Sequence, residues 1–371
     1  MDAEPFTDPS SLPPLTPPPP VGIASKIFVD EAGLRAEWRL LVYAAFVAAI
    51  FSGGGLVVQH FARPTRGVYS PGYLFVGEVF GFVVVFGAAL IMSLIEHRSP
   101  GVYGLPAGSA FRKLFWQGFL IGLAEISALV GLISAFGGYS FGTLALHGAD
   151  ILRWAAFWIV FFVFVGLFEE FLFRGYTQFT LADASFWPTA IVFSLLFWLL
   201  HLSNQRDGIG FWLAALVLSL LFGRLLLKNA EKKTGGIGFW SAAMVLSLLF
   251  GRVHLGNQGE NWVGVLGVVL IGLIFALSLR RTGSLWFAVG LHASFDFGET
   301  FLYSVPNSGN VFAGHLSDAS LHGARWLTGG TAGPEGSVFS FLTMAILALV
   351  VHRLYPAKNS NPTPNQATQL S

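Results

Sequence analysis

The chain has 371 residues, of which 54% are hydrophobic and only 11% are charged, whereas an average soluble domain carries roughly 25% charged residues. Its net charge of +1 argues against a nucleic-acid partner, and the lack of cysteine excludes disulfides, thiolate zinc sites and a cysteine nucleophile. Several apolar runs reach the roughly 20 residues that span a bilayer, and they do not alternate as β-barrel strands do. We therefore expect an all-α, polytopic transmembrane helical bundle.

The predicted elements begin after a polar tail. Residues 1–36 contain the run PPLTPPPP, which cannot form a helix, and we expect no cleaved signal peptide. About ten membrane helices follow by length and apolarity. Their expected bounds are 38–59, 71–95, 114–136, 153–175, 186–203, 211–228, 238–255, 261–280, 284–303 and 336–355. Glu78 and Glu125 are isolated acids in the second and third helices, and we expect them to line a cavity or to pair.

The distribution of basic residues predicts the orientation, because cytoplasmic loops carry an excess of lysine and arginine. Most bases fall on the side that a cytoplasmic N-terminus would place inside; they are Arg98, Arg112, Lys113, Lys228, Lys232, Lys233, Arg280, Arg281, Arg353 and Lys358. Arg63 and Arg66 fall on the other side. We therefore predict an integral protein of the bacterial inner membrane with both termini in the cytoplasm.

One helix end occurs three times in tandem. The copies are FSLLFWLLHLSN, LSLLFGRLLLKN and LSLLFGRVHLGN, which begin at Phe193, Leu218 and Leu246. The first copy carries His201 and the third carries His254, where the second has leucine. Tandem copies at this spacing indicate duplication of one membrane helix. Two added helices leave the topology of the downstream chain unchanged.

Charged residues interrupt the predicted helix at 153–175, in the sequence FEEFLFRGY. Glu170 and Arg174 lie four residues apart on one helix face and can pair, whereas Glu169 is rotated by about 100°. One glutamate can therefore be structural while the other stays free for chemistry. The simpler alternative is a helix end whose charges reach the membrane interface.

Two further helices carry candidate catalytic groups. Phe250 and His254 share a helix face in FGRVHLGN, and His201 takes the same place in FWLLHLSN. His292 and Asp296, in LHASFDFGE, are also four apart and can hydrogen-bond to each other or bind a metal. Taken singly, each histidine has a purely structural explanation. Because polar groups in hydrocarbon must find each other or water, we expect the three motifs to share one cavity that activates water.

The order of these motifs resembles the CPBP intramembrane proteases, the family that includes the type II CAAX prenyl endopeptidases and bacterial relatives linked to bacteriocin immunity. The pattern is EExxxR at Glu169, FxxxH at His254 and HxxxD at His292, with TGSLW just before the last motif. The resemblance covers about residues 150–300. It implies an endopeptidase that cleaves a peptide or protein substrate within the lipid bilayer, at a cavity that we expect to open toward the cytoplasm.

The resemblance also implies roles for the motif residues. Glu169 would be the general base that activates water together with the FxxxH histidine. His292 and Asp296 would support the oxyanion of the tetrahedral intermediate. Glu170 and Arg174 would be supporting residues.

The cofactor is unknown from the sequence. Two imidazoles and a carboxylate suit zinc, so His254, His292 and Glu169 are candidate ligands, but the resemblance is equally compatible with a metal-free reaction. Asp296 stands where the family often has asparagine. An aspartate stabilises an oxyanion only when it is protonated, and an ionised Asp296 can orient His292 instead.

Two histidines compete for the FxxxH role. His201 lies nearer to Glu169 in the sequence, whereas His254 is continuous with the downstream helices and FGRVHLGN is closer to the family form, so we favour His254. In the expected topology Glu169 lies near the cytoplasmic end of its helix and His254 near the outer end of another. The two can meet only if these spans are shifted, tilted or broken.

The chain divides into a Pro-rich polar tail (1–36), N-terminal membrane helices (37–150), a CPBP-like core with the duplicated helix (151–303), an extracytoplasmic loop (304–335), and a last helix with a polar tail (336–371). Two other functions stay open. One is a non-catalytic binding or bacteriocin-immunity protein that uses the same cavity. The other is a small-solute transporter, which a local tandem repeat does not favour because transporters typically carry inverted repeats.

Overall fold

The computed structural model describes residues 28–30, 33–61, 70–184, 238–257 and 259–357. Within these ranges the chain is a bundle of α-helices with little sheet. The helices are α1 (Ala36–Phe61), α2 (Pro71–Ile95), α3 (Lys113–Ala135), α4 (Ala149–Arg174), α5 (Tyr176–Ala182), α6 (Phe239–His254), α7 (Trp262–Thr282), α8 (Trp286–Phe297), α9 (Arg325–Thr328) and α10 (Val338–Leu354). The strands β1 (Val29–Asp30) and β2 (Gly33–Leu34) form one antiparallel pair, and β3 (Tyr139–Ser140) and β4 (Ser320–Leu321) form another.

Five helical stretches of the described chain are long and apolar enough to cross a membrane: Ala36–Gly55, Pro71–Ile95, Lys113–Ala135, Ala149–Ala182 and Trp262–Thr282. The helices α6 and α10 are apolar but shorter. Two of the ten predicted helices, 186–203 and 211–228, lie outside the described residues. The other eight coincide with observed helices, which confirms the prediction of an all-α bundle that is integral to the membrane.

Polar residues fix the starts of three of these helices. Ser70 accepts a hydrogen bond from the Tyr73 backbone before α2, Asn261 accepts two before α7, and Ser337 accepts one before α10. Such caps satisfy N–H groups that the first turn of a helix leaves without a partner. The three capped starts lie at the same end of the bundle, next to the cavity described below.

Close contacts show the direction in which neighbouring helices run. Gly118 of α3 lies against the Phe287 carbonyl of α8, and Gly122 lies against the Leu291 carbonyl, so α3 and α8 are parallel. The first half of α4 packs on the last half of α8, so these two helices are antiparallel. Both relations agree with the predicted topology, in which successive helices cross the membrane in opposite directions.

The segment between α8 and α10 is an ordered cover over one end of the bundle. Its β4 pairs with β3 of the α3–α4 connection. Gly309 accepts a backbone hydrogen bond from Gly259, and the Asn257 side chain donates to the Ser308 carbonyl at 2.8 Å. These bonds fix residues 307–313 beside the ends of α6 and α7. The predicted extracytoplasmic loop at 304–335 is therefore part of the cavity wall.

Two features explain how Glu169 and His254 can line one cavity, although the predicted spans place them at different depths in the membrane. After the break at Gly175 the chain continues as the buried helix α5, so Glu169 lies more than three turns before the end of its apolar stretch at Ala182. The helix α6 has only 16 residues and is about 24 Å long, which is shorter than a bilayer core. Glu169 and His254 consequently reach the same cavity.

Candidate active site

A cavity of about 1090 Å³ lies between the membrane helices, in the half of the bundle next to the cover. Four residues of the sequence motifs line it: Glu169, His254, His292 and Asp296. Its rim includes the exposed residues Ser70, Val311 and Ala313. The predicted topology places this end of the bundle on the extracytoplasmic side of the membrane. A cytoplasmic N-terminus and a cavity that opens toward the cytoplasm therefore cannot both be correct.

Glu170 and Arg174 form a buried pair behind the cavity. The Arg174 guanidinium donates to the Glu170 carboxylate at 3.3 Å, and the two side chains are 1% and 0% exposed. The guanidinium carbon also lies 4.3 Å from the centre of the Phe250 ring, a favourable cation–π distance. Gly272 of α7 provides the space, because a Cβ atom there would overlap the guanidinium. The pair fixes the end of α4 against α6 and α7.

Glu169 has different surroundings although it is the next residue in the chain. Its side chain is 24% exposed, and it lines the cavity. One carboxylate oxygen has no hydrogen-bond partner among the described residues, and it lies 3.7 Å from Nε2 of His292. The exposed part of this side chain, rather than the buried oxygen, is what a water molecule or a substrate in the cavity can reach.

His292 lies among three carboxylates. Its Nδ1 is 2.9 Å from Glu170, while its Nε2 is 3.7 Å from Glu169 and 3.5 Å from Asp296. A histidine can donate from both ring nitrogens only as the imidazolium ion, and these neighbours suit that form. The ring stacks on Phe275 with a centre-to-centre distance of 5.5 Å. His292 is thereby held rigidly, with its Nε2 directed toward the cavity acids.

His254, the last residue of α6, presents the opposite protonation pattern. Its Nδ1 lies 2.8 Å from the Phe250 carbonyl. Because a carbonyl oxygen only accepts, Nδ1 carries the proton and the lone pair of Nε2 is left for another partner. This tautomer suits a base at the cavity wall. The alternative histidine, His201, lies outside the described residues.

The side chains do not fit a preformed zinc centre. Zinc takes nitrogen and oxygen ligands at about 2.0–2.2 Å in a tetrahedral arrangement. Within the described ranges no group of three histidine, aspartate or glutamate side chains converges in this way.

The cavity is also lined by polar residues that belong to none of the sequence motifs. Asn307 and Ser308 come from the cover, and Ser308 donates to Glu335 at 2.9 Å. Burial raises the pKa of the Glu335 carboxyl. Glu78 and Glu125 line the cavity from α2 and α3, as one of their two predicted alternatives required. No motif marks these five residues, because their proximity depends on contacts between distant segments.

Comparison with known proteins agrees with the motifs. Residues 151–234 and 224–298 match the family model described as type II CAAX prenyl endopeptidase Rce1-like. The two matched segments overlap within the repeated region, and each contains one of the competing histidines. No curated protein and no solved structure matches the chain. The match over residues 151–298 agrees with the resemblance to the CPBP family and supports, at the family level, a CAAX-protease-like intramembrane protease.

Proposed function

We propose that this protein hydrolyses a peptide bond inside the membrane with a water molecule activated by Glu169 and His254. The observation that carries the proposal is the difference between two adjacent glutamates. Glu170 is fully buried and bound to Arg174, whereas the side chain of Glu169 is 24% exposed and lines the cavity. A general base needs a carboxylate that water can reach, and the buried neighbour supplies the rigid support.

In the proposed reaction Glu169 removes a proton from water while the water oxygen attacks the carbonyl carbon of the peptide. Nε2 of His254 accepts a hydrogen bond from the other O–H of the water, which keeps that hydrogen, and so orients the attack. The imidazolium of His292 donates to the oxyanion of the tetrahedral intermediate, and Asp296 orients that ring. Glu169 then returns its proton to the peptide nitrogen as the C–N bond breaks. The products are a carboxylic acid and an amine.

The change Glu169→Gln tests the proposal. The amide keeps the shape of the side chain but is no base, so we expect cleavage to fall by on the order of 10²–10⁴-fold. Mass spectrometry of a defined peptide library, incubated with the purified protein in lipid nanodiscs, measures the cleaved bonds. Asp150→Asn is the matched control, because this exposed acid lies outside the cavity.

Undiminished turnover by a folded Glu169→Gln protein would contradict the assignment of the base. If this variant instead keeps the full biological activity while no cleavage is found for the wild type, the protein is a non-catalytic relative that binds through the same cavity. The two outcomes are distinguished in one pair of assays, since one measures new peptide ends and the other measures the phenotype.

We also propose that the protein lies in a bacterial inner membrane with both termini in the cytoplasm. The excess of basic residues at the α2–α3 connection, the end of α7 and the end of α10 supports this orientation. The lipid bilayer and a peptide or protein substrate are then the partners of the site.

A further inference from the structure

Acidic side chains lie at several places in a cavity wall that is otherwise mostly apolar. Five of the described residues that line it are acids: Glu78, Glu125, Glu169, Asp296 and Glu335. No described lining residue is a lysine or an arginine. The arginine of the EExxxR motif, Arg174, is already bound to Glu170. Two of the acids, Glu78 and Glu125, have no part in the proposed reaction.

Glu125 is the more informative of these two. Its side chain is only 8% exposed, it lines the cavity, and one of its oxygens has no hydrogen-bond partner in the described part of the chain. It follows Gly122, which lies against the backbone of α8, so the helix that carries the acid cannot turn it away from the cavity. A buried carboxylate without a partner is costly inside a membrane, and such groups commonly face a substrate or ion pathway.

Glu78 extends the acidic wall from the rim toward the reaction site. It lies two turns inside α2, which begins at the rim residue Pro71, and one of its oxygens also lacks a hydrogen-bond partner within the described ranges. Its carboxylate is close enough to Glu169, His292 and Asp296 to interact with them electrostatically. A positive group that enters the cavity would thus meet an acidic side chain without a hydrogen-bond partner before it reaches Glu169.

We propose that Glu78 and Glu125 form a cation subsite that binds lysine or arginine side chains of the peptide substrate close to the bond that is cut. The inference rests on the proposed function, since it names the substrate class of the same cavity. The two acids lie on separate helices of the cavity wall and each has an oxygen without a hydrogen-bond partner, so each offers a partner to an incoming base. The nearby positive charge in turn favours the ionised form of the acid. The low dielectric of the cavity strengthens such ion pairs relative to water.

Binding of a labelled peptide to the Glu169→Gln protein tests the subsite without requiring catalysis. The probes are a fluorescent peptide of alternating lysine and leucine and its counterpart with glutamine for lysine, measured in phosphatidylcholine nanodiscs with empty discs as the blank. We expect the lysine peptide to bind at least on the order of tenfold more tightly. Adding Glu125→Gln or Glu78→Gln should each remove most of that difference, and adding Asp150→Asn should leave it unchanged.

Equal binding of the two peptides would overturn the inference, as would full selectivity in folded Glu125→Gln and Glu78→Gln proteins. The two single variants keep the test decisive if one of them does not fold. Wild-type protein given the same peptides separates the two proposals. Selective binding without any cleavage would contradict the hydrolase and uphold the subsite, whereas cleavage of both peptides at one rate would contradict the subsite and uphold the hydrolase.

Discussion

At the scale of single residues, Glu169 and Glu170 show how a rotation of about 100° between adjacent helix positions separates chemistry from support. Glu170 is bound by Arg174 and His292, while Glu169 faces the cavity. We expect Glu170→Gln to leave the Arg174 guanidinium buried without its counter-charge, which costs roughly 3–5 kcal/mol. Thermal unfolding of the purified protein measures the loss. The double change Glu170→Gln with Arg174→Met should recover part of it, and a wild-type unfolding temperature for Glu170→Gln would refute the structural role.

Single substitutions also test whether His254 or His201 is the functional histidine of the FxxxH motif. His254 lines the cavity with a free Nε2, so His254→Gln should lower the cleavage rate by on the order of 10²–10⁴-fold. His201→Gln is the matched control from the other repeat copy, and we expect it to keep most of the activity. The peptide-library assay measures both variants. A loss confined to His201→Gln would transfer the role to the first copy.

At the scale of elements, the contact between α3 and α8 holds His292 in place. Gly118 and Gly122 of α3 and Gly290 of α8 bring the two backbones so close that a Cβ atom at any of them would overlap a carbonyl oxygen. Small residues at this spacing are the usual means by which membrane helices approach each other.

Replacing Gly122 by alanine should therefore push the helices apart and destabilise the protein by about 1–3 kcal/mol. Gly131→Ala is the control on the same helix. It meets nothing within 4 Å, and removing a glycine from a helix interior should stabilise by about 0.5–1 kcal/mol. Thermal unfolding of both variants, together with cleavage rates, separates packing from helix propensity. Equal effects of the two changes would argue against the close contact.

The elements were also the most predictable part of the molecule. Apolar runs located eight of the described helices, and five helical stretches have the length that a bilayer requires. The spacing of four residues correctly predicted that Glu170 pairs with Arg174. Spacing gave no account of Asn307 or Glu335, since the fold of the cover depends on backbone hydrogen bonds between distant segments. The predicted span 153–175 ended at the observed break at Gly175, but spacing gave no bounds for the buried helix α5 that follows it.

At the scale of the whole molecule, the orientation can be measured directly, because the chain contains no cysteine. Ala313→Cys places a single thiol at the cavity rim, and Ala107→Cys places one at the opposite end. If the excess of basic residues sets the topology, a membrane-impermeant maleimide should label Ala313→Cys in intact cells. Ala107→Cys should react only after the membrane is permeabilised. The reverse labelling pattern would show that the orientation is inverted and that the cavity opens toward the cytoplasm.

The backbone contact between α3 and α8 has a mechanical consequence. Glu125 and His292 sit on these two helices, which cannot slide or separate without breaking the glycine interface. A bulky chain that needs a wider passage must therefore displace another part of the wall, which includes α2, α6 and the cover. Because α2 carries Glu78 and α6 carries His254, a movement of these two helices would link the binding of a charged side chain to the position of the base.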